Sequence, residues 1–260
     1  MEEVDLQRAL DVAREAARAA DRVAMGYFRG ELAVETKADE SPVTVADRET
    51  EQVIRDIISR HYPDHAIDGE EYGRQGDNRC LWLIDPIDGT RSFIRGLPFW
   101  SVQIALMIDG ELVVGVSSAP AFAETAWACA GGGAWINGCR VRVGAADELA
   151  RADVSFGNLR SLSRSQHWSW VGRIVSEAAR CRGYGDFYSY HRLADGSQDV
   201  VIESDVNILD IAALVVIVRE AGGTFTDLDG KPPGLDTTSV LAAPARLHEQ
   251  LLCSRDEQSR

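Results

Sequence analysis

One segment of the chain carries its most informative chemistry, and it reads Trp82-Leu83-Ile84-Asp85-Pro86-Ile87-Asp88-Gly89-Thr90. Its apolar start predicts a buried strand that delivers Asp85 to its end, where Pro86 cannot donate a further ladder hydrogen bond. Asp88 is expected to return to the same side, and two carboxylates in such a turn suit a hard cation such as Mg²⁺. Gly89 lets a phosphate approach the backbone, and a helix starting after it would offer free N–H groups to an anion.

Other acidic segments decide between a ligand site and an ordinary turn. Taken alone, residues 82–90 also fit an Asp-rich turn that binds nothing. However, Gly69-Glu70-Glu71 follows another predicted strand, and Asp210 stands at the start of the most apolar helix of the chain. Asp210 alone can also be a helix N-terminal charge that the helix dipole stabilises. Considered together, these segments favour a site with several carboxylates.

The charge balance of the chain excludes one class of partner. The sequence has 41 Asp and Glu against 27 Lys and Arg, which gives a formal net charge of −14 at pH 7. No basic stripe is present to neutralise nucleic-acid phosphates, so no nucleic-acid partner is expected. An acidic protein that handles phosphate must import its positive charge as metal ions.

The sequence predicts a cytoplasmic protein without a membrane partner. Its longest apolar run, residues 211–218, is too short to span a bilayer. The first residues are acidic where a signal peptide needs basic residues. Five cysteines without C-x-x-C spacing predict reduced thiols rather than disulfides or a zinc site.

The chain length suits two halves that pack tightly as one unit, residues 1–148 and 149–260. The first half is predicted to begin with an amphipathic helix over residues 4–28. A second helix is expected near Thr44, whose hydroxyl would form a capping box with Asp47. A largely antiparallel meander should follow, and it is expected to carry the metal-binding motifs.

Turn signals and periodicity predict the strands. Asp109-Gly110 predicts one hairpin, and Asn137-Gly138 predicts another between residues 124–129 and residues 140–143. After residue 148, helices alternate with strands, which predicts a mostly parallel or mixed sheet covered by helices. The expected fold class is α/β, with an α+β first half.

The motifs together resemble the inositol monophosphatase family of Mg²⁺-dependent, lithium-sensitive phosphatases. The family signature W-x-x-D-P-[IL]-D-G-T is complete at residues 82–90, its G-E-E element lies at 69–71 and its P-V-T-x-A-D element at 42–47. The second signature extends from Leu209 to Gly223, with Leu209 where the family usually has Trp. The resemblance covers nearly the whole chain, and it implies a layered αβαβα sandwich of the inositol monophosphatase and fructose-1,6-bisphosphatase type and a homodimer.

The resemblance also implies a set of metal ligands. Glu70, Asp85 and the carbonyl of Ile87 would hold one Mg²⁺ ion. Asp85, Asp88 and Asp210 would hold a second ion, and a weaker third ion would lie beside Glu70. In this two-metal arrangement, the cations neutralise developing charge and activate the attacking water.

Further roles follow from the resemblance. Thr90 and Asp47 would position the water for in-line attack on phosphorus, while Asp88 and the N–H groups of Gly89 and Thr90 would bind the phosphate. The second ion would stabilise the leaving alkoxide. Asp47 also has a competing structural explanation, because a capping box with Thr44 is sufficient reason for an acid there.

The substrate is expected to be recognised by the second half, through Asp186, Glu203 and Asp210. Glu203 matches a family position that contacts the non-phosphate part of the substrate. Residues 184–190 read Y-G-D-x-Y-x-Y and resemble the histidinol-phosphatase branch, whereas inositol phosphatases carry a tract of small residues there. Asp186 would add a second acid beside Glu203, which suits an ammonium or imidazolium group. The alternative is that Asp186 caps a helix and that the tyrosines belong to the core.

The expected function is Mg²⁺-dependent hydrolysis of L-histidinol phosphate to L-histidinol and phosphate, in histidine biosynthesis. An inositol-1-phosphate phosphatase and a broad sugar-phosphate phosphatase are the alternatives on the same fold. A non-catalytic binding or regulatory protein is a more remote alternative. The presence of every expected metal ligand argues against it.

Overall fold

The computed structural model of the protein describes residues 4–30, 34–36 and 42–256. The helices within these residues are α1 (Leu6–Tyr27), α2 (Val45–His61), α3 (Thr90–Ile94), α4 (Leu159–Leu162), α5 (Trp168–Glu177), α6 (Asp186–Ala194), α7 (Ile208–Glu220) and α8 (Ala245–Asp256). The first strands are β1 (Val34–Thr36), β2 (Pro42–Thr44), β3 (Ala66–Gly69), β4 (Gly73–Gln75), β5 (Cys80–Asp88), β6 (Ser101–Ile108), β7 (Glu111–Ala119), β8 (Glu124–Cys129), β9 (Gly133–Ile136) and β10 (Cys139–Val141). The later strands are β11 (Asp153–Phe156), β12 (Arg180–Cys181), β13 (Val200–Ser204), β14 (Gly223–Thr226) and β15 (Ser239–Pro244).

The larger sheet has eight strands in the order β10-β9-β8-β7-β6-β5-β3-β4. Neighbouring strands are antiparallel except for β3 and β5, which are parallel, so the predicted antiparallel meander is confirmed. Side chains alternate between the two faces of β5. Trp82 and Ile84 pack in the core with α1 and α2, whereas Leu81 and Leu83 pack in the core with α7. Because both faces are covered, β5 is apolar at successive positions.

The smaller sheet has five strands in the order β12-β11-β13-β15-β14. β11 is parallel to β12 and β13, and β15 is antiparallel to β13 and β14, so the predicted mixed sheet is confirmed. α6 and α7 contribute to the core between the two sheets, while α5 and α8 cover the outer face of the smaller sheet. The layers therefore follow the αβαβα order that the resemblance implied.

The helix α7 fills the space between the sheets. Residues 211–218 of this helix are all buried, which explains the longest apolar run of the sequence. β7 approaches the helix at Gly115, where a Cβ atom would lie 2.4 Å from the carbonyl oxygen of Ala213. Glycine is needed at this position because the strand backbone and the helix backbone are in contact.

Two local predictions are wrong. The turn at Asn137-Gly138 joins β9 to β10 and does not join residues 124–129 to residues 140–143. The reason is that the triple glycine forms its own tight turn, so that a further strand fits between the two turns. β5 does not end at Asp85 either, because it continues pairing with β6 and accommodates Pro86 where the register shifts.

The membrane and disulfide predictions can be compared with the structure. In the described part of the chain, no helix is long and apolar enough to cross a membrane. The five cysteines are free. The boundary between residues 1–148 and 149–260 and the cytoplasmic location stay predictions.

Candidate active site

A bulge in β5 brings two carboxylates to one side of the sheet. Asp85 pairs with Gln103 of β6, and Asp88 pairs with Ser101, so three residues of β5 span the same distance as two residues of β6. Residues three apart on a regular strand face opposite sides, and the extra residue of the bulge returns Asp88 to the side of Asp85. The Asp85 Oδ1 atom accepts a hydrogen bond of 3.0 Å from the N–H of Ile87, which fixes the turn.

A third carboxylate reaches this pair from α7. One carboxylate oxygen each from Asp85, Asp88 and Asp210 lies within 4.8 Å of the others. Asp210 also closes a capping box, because the backbone N–H of Asn207 donates to its Oδ2 at 2.8 Å and the side-chain amide donates to its Oδ1 at 2.7 Å. Asp210 therefore lies at the helix N-terminus and beside the other carboxylates, so the two explanations offered by the sequence are compatible, and its role as a metal ligand stays a prediction.

Burial and mutual repulsion raise the pKa values of these three acids. The pKa of Asp85 lies well above its ordinary value because of desolvation, and then because of the charges of Glu70, Asp88 and Asp210. Desolvation raises the pKa of Asp88 in the same way, with Asp186 as the first charged neighbour. Desolvation also raises the pKa of Asp210, to about 6. Buried carboxylates that repel one another form an oxygen donor set for a divalent cation, and they fit Mg²⁺.

Glu70 acts on these carboxylates as well, because its charge adds to desolvation in raising the pKa of Asp85 and of Asp210. Its loop is held by a buried acid that the sequence analysis missed, Glu51 of α2. The N–H of Glu71 donates to Glu51 Oε2 at 2.7 Å.

Two further contacts fix Glu51 itself. Arg55 Nε donates to Glu51 Oε1 at 2.7 Å. A Cβ atom at Gly69 would lie 2.2 Å from the same oxygen, so the glycine of the G-E-E element makes room for Glu51. The sequence does carry a signal for this ion pair, since Glu51 and Arg55 are four residues apart on one helix.

The Thr90 hydroxyl faces two acceptors. It lies 3.1 Å from the carbonyl oxygen of Ile87 and 3.5 Å from Oδ1 of Asp47. Asp47 Oδ2 accepts from the N–H of Thr44 at 2.8 Å and from its hydroxyl at 2.6 Å. One oxygen of Asp47 thus closes the predicted capping box while the other faces Thr90, so the two explanations of Asp47 are compatible. Gly89, with φ of +86°, precedes a five-residue helix that starts at Thr90.

A small cavity of about 40 Å³ adjoins Asp88 and Asp210 and is also lined by Asp186, Tyr190 and Glu203. Desolvation raises the pKa of Glu203 to about 8 and that of Asp186 to about 6. The structure thus brings the two predicted specificity acids together beside Asp88 and Asp210, two of the predicted metal ligands.

The capping interpretation of Asp186 is wrong, because the N-cap residue of α6 is Gly185 and it has no side-chain cap. The core interpretation of the tyrosines holds for Tyr190, which is 1% exposed, but not for Tyr184, which is 50% exposed.

Sequence analysis missed the polar residues behind Asp88. Ser101 Oγ donates to Asp88 Oδ2 at 3.3 Å, and Gln103 Nε2 donates to Ser101 Oγ at 2.9 Å. No local pattern marks these two residues, because their role depends on the register of β6 against the bulge. Asn207 could have been found, since Asn followed three residues later by Asp is a capping-box pattern.

Comparison with known proteins identifies the relatives of the chain. The model of the inositol monophosphatase family matches residues 5–260. The chain belongs to the inositol monophosphatase family. A histidinol-phosphatase of Streptomyces coelicolor is 39% identical over 253 residues, which cover 94% of this chain and 95% of that protein. A histidinol-phosphatase of Mycobacterium tuberculosis is 40% identical over 228 residues, which cover 85% of this chain and 87% of that protein.

A solved structure of the inositol monophosphatase family confirms the fold. The inositol monophosphatase of Anabaena (Nostoc) sp. PCC 7120 matches with a TM-score of 0.85 at 31% identity, over 98% of this chain and 97% of that one. Members of the inositol monophosphatase family are metal-dependent phosphatases that normally use Mg²⁺, and this chain is a phosphatase of that family.

Proposed function

We propose that the protein hydrolyses L-histidinol phosphate to L-histidinol and phosphate, and so acts in histidine biosynthesis. The observation that carries this proposal is the cavity in which Asp186 and Glu203 lie beside the metal-binding acids. Two carboxylates there suit a substrate that carries cationic groups next to its phosphate ester. The two histidinol-phosphatases that match most of the chain support the same substrate.

The proposed metal ligands are those that the family resemblance implies. Glu70, Asp85 and the Ile87 carbonyl would hold one Mg²⁺ ion, and Asp85, Asp88 and Asp210 a second, with a third ion beside Glu70. When bound, Mg²⁺ supplies positive charge that neutralises the phosphate and lowers the pKa of the attacking water.

Thr90 and Asp47 are proposed to handle the proton of that water. The Thr90 hydroxyl has one proton, which it can donate either to Ile87 or to Asp47 Oδ1. When the proton is directed to Asp47, a lone pair of Thr90 Oγ1 is free to accept a hydrogen bond from a water. That bond orients the water for in-line attack, while the N–H groups of Gly89 and Thr90 and the side chain of Asp88 face the phosphate.

Asp186 and Glu203 are proposed to bind the amine and imidazole end of the substrate. Their raised pKa values reflect burial first and then the negative charges of neighbouring acids. An ammonium or imidazolium group would favour their charged forms, because an opposite charge at close range offsets the cost of desolvation. Binding should therefore release protons near neutral pH.

The test compares turnover of histidinol phosphate with turnover of inositol 1-phosphate by the purified protein. We expect a clear preference for histidinol phosphate, and a preference for inositol 1-phosphate would overturn the proposal. Inositol 1-phosphate is the second candidate, because a carboxylate at Glu203 can also accept from a sugar hydroxyl and because the matching Anabaena structure is an inositol monophosphatase.

The metal requirement has its own test. Turnover should depend on added Mg²⁺, disappear in EDTA and be nearly abolished in Asp85→Asn. Asp109→Asn is the matched control, since Asp109 lies in an exposed hairpin turn with φ of +51°, a conformation that Asn adopts readily. Full activity of Asp85→Asn would contradict the proposed ligand set.

We further propose that the protein is a homodimer in the cytoplasm. Sedimentation of the purified protein measures the mass of the assembly and so tests the dimer.

A further inference from the structure

Glu203 is held by a tyrosine that the proposed mechanism does not use. The hydroxyl of Tyr190 donates to Glu203 Oε2 at 2.7 Å, and both residues are almost fully buried. The Tyr190 ring is itself fixed, because it stacks on Phe225 with ring centroids 5.7 Å apart. A short hydrogen bond from a fixed phenol restricts the orientation of the carboxylate.

A second polar group near Glu203 comes from the same helix. The backbone N–H of Asp186 lowers the pKa of Glu203 and so opposes the larger effect of desolvation. The backbone is unusual at this point, since Asp186 has φ of +52° and follows Gly185 with φ of +86°. Such left-handed geometry in a non-glycine residue costs free energy and is typical of functional sites. α6 thus orients Glu203 and presents Asp186 beside it.

The other side of the Glu203 carboxylate lies against glycine backbone. A Cβ atom at Gly157 would lie 1.9 Å from Glu203 Oε1, and a Cβ atom at Gly185 would lie 3.2 Å from the same oxygen. Only residues without a side chain leave this space for the carboxylate. The position of Glu203 is therefore restricted by the Tyr190 hydroxyl at Oε2 and by the backbone of Gly157 and Gly185 at Oε1.

We propose that Tyr190 is a positioning residue for substrate specificity, whose hydroxyl orients the Glu203 carboxylate toward the cationic amine of the substrate. This inference rests on the proposed function, because it requires a substrate that carries an amine. Tyr190 acts through Glu203 and does not itself need to touch the substrate. A tyrosine that only fills the core would affect all substrates alike, whereas a positioning tyrosine affects those that use Glu203.

The experiment compares two esters that differ only in the amine, histidinol phosphate and its deamino analogue. We expect Tyr190→Phe to raise the KM for histidinol phosphate about tenfold, as for loss of a hydrogen bond to a charged group, with kcat changed less than about twofold. The KM for the deamino analogue should be unchanged. Tyr188→Phe is the matched control, since the Tyr188 ring lies on the same helix but packs on Phe99 and Phe122.

A double-mutant cycle tests whether Tyr190 works through Glu203. In a Glu203→Gln background, Tyr190→Phe should have no further effect on the KM for histidinol phosphate. Gly157→Ala is an independent way to move the carboxylate, because its Cβ would lie 1.9 Å from Oε1. It should raise the KM for histidinol phosphate and leave the KM for the deamino analogue unchanged. The inference would be overturned if Gly157→Ala kept the wild-type KM for histidinol phosphate. It would also be overturned if Tyr190→Phe raised the KM for both esters equally.

The two proposals fail in different ways. If the unaltered protein does not prefer histidinol phosphate to inositol 1-phosphate, the proposed function is wrong and the role of Tyr190 falls with it. If the unaltered protein has that preference and Tyr190→Phe retains it in full, only the role of Tyr190 is wrong.

Discussion

The Thr90 hydroxyl lies 3.5 Å from Oδ1 of Asp47, a carboxylate whose other oxygen closes the first turn of α2. A single side chain thus starts a helix of the first half and faces the signature turn. Asp210 repeats the arrangement in α7, where it closes a capping box and belongs to the carboxylate cluster. Loss of activity in variants of these two acids must therefore be separated from loss of stability.

Asp47→Asn is expected to lower kcat about 100-fold or more, because the amide cannot take up the Thr90 proton. It should also lower the free energy of unfolding by about 1 kcal/mol, as for a weakened helix cap. Thr44→Ala is the contrasting variant, since it removes the capping hydroxyl and leaves Asp47 Oδ1 in place. Steady-state kinetics and urea unfolding should show a stability loss in both variants and a large kcat loss only in Asp47→Asn; equal kcat in the two would refute a catalytic role.

The free energy of unfolding of the metal-free protein should fall as the pH rises. The pKa values of Asp186 and Asp210 are raised to about 6 and that of Glu203 to about 8, above the value of about 4 in an unfolded chain. The folded protein binds the extra protons in this range, so stability present below about pH 4 is lost as the pH passes through these values.

Thermal unfolding in EDTA measures this effect. We expect the Tm to fall by roughly 10–20 °C between about pH 5 and pH 8, since the three shifts together correspond to about 6 kcal/mol over this range. Added Mg²⁺ should raise the Tm most at the alkaline end, where the ligands are already deprotonated. A Tm in EDTA that stays level or rises over this range would show that these acids are not buried and protonated as described.

Glu51→Ala should destabilise the fold and weaken metal binding together. Glu51 is 0% exposed and pairs with Arg55, and removing one member of a buried ion pair costs about 3–5 kcal/mol. The loop that carries Glu70 would lose its anchor, so the Mg²⁺ concentration for half-maximal activity should increase. Asp56→Ala on the exposed face of α2 is the control, and it should change the free energy of unfolding by less than about 0.5 kcal/mol. If Glu51→Ala left the Mg²⁺ concentration for half-maximal activity unchanged, Glu51 would not be the residue that positions the loop of Glu70.

Two glycine substitutions should have opposite effects on stability. Gly115→Ala places a methyl group 2.4 Å from the Ala213 carbonyl oxygen, and this overpacking is expected to cost about 1–3 kcal/mol. Gly172 lies inside α5 with no atom within 4 Å of its added Cβ, so Gly172→Ala should stabilise the helix by about 0.5–1 kcal/mol. Urea unfolding measures both variants. If Gly115→Ala left the free energy of unfolding unchanged, β7 and α7 would be able to move apart without loss of stability.

The sequence predicted the carboxylates of the site but not the residues that form hydrogen bonds around them. Asp85, Asp88 and Asp210 could be found because motif spacing is local and because their order along the chain matches a known family. Gln103 could not be found, because its position behind Asp88 depends on a one-residue shift between two strands. Glu203 was expected, but Tyr190 was expected only as one tyrosine in a pattern, since its hydrogen bond joins a helix to a strand of another layer.

The fold was predicted in its layers and less well in its turns. Periodicity is enough to assign α1, α2 and α7, which are long and regular. It failed at β9, which has only four residues and begins at the last of three successive glycines. A strand that short has no detectable alternation, and only its pairing with β8 and β10 defines it.

The distance along the chain between the clustered carboxylates has a consequence for biogenesis. Asp88 and Asp210 are about 120 residues apart in sequence, so their approach closes a long loop that depends on many non-local contacts. A chain emerging from the ribosome cannot offer Asp210 as a ligand until α7 has been synthesised and inserted between the sheets. If both residues hold the proposed Mg²⁺ ion, its capture should be among the last events of folding, and the time course of Mg²⁺ uptake during refolding would report completion of the native state.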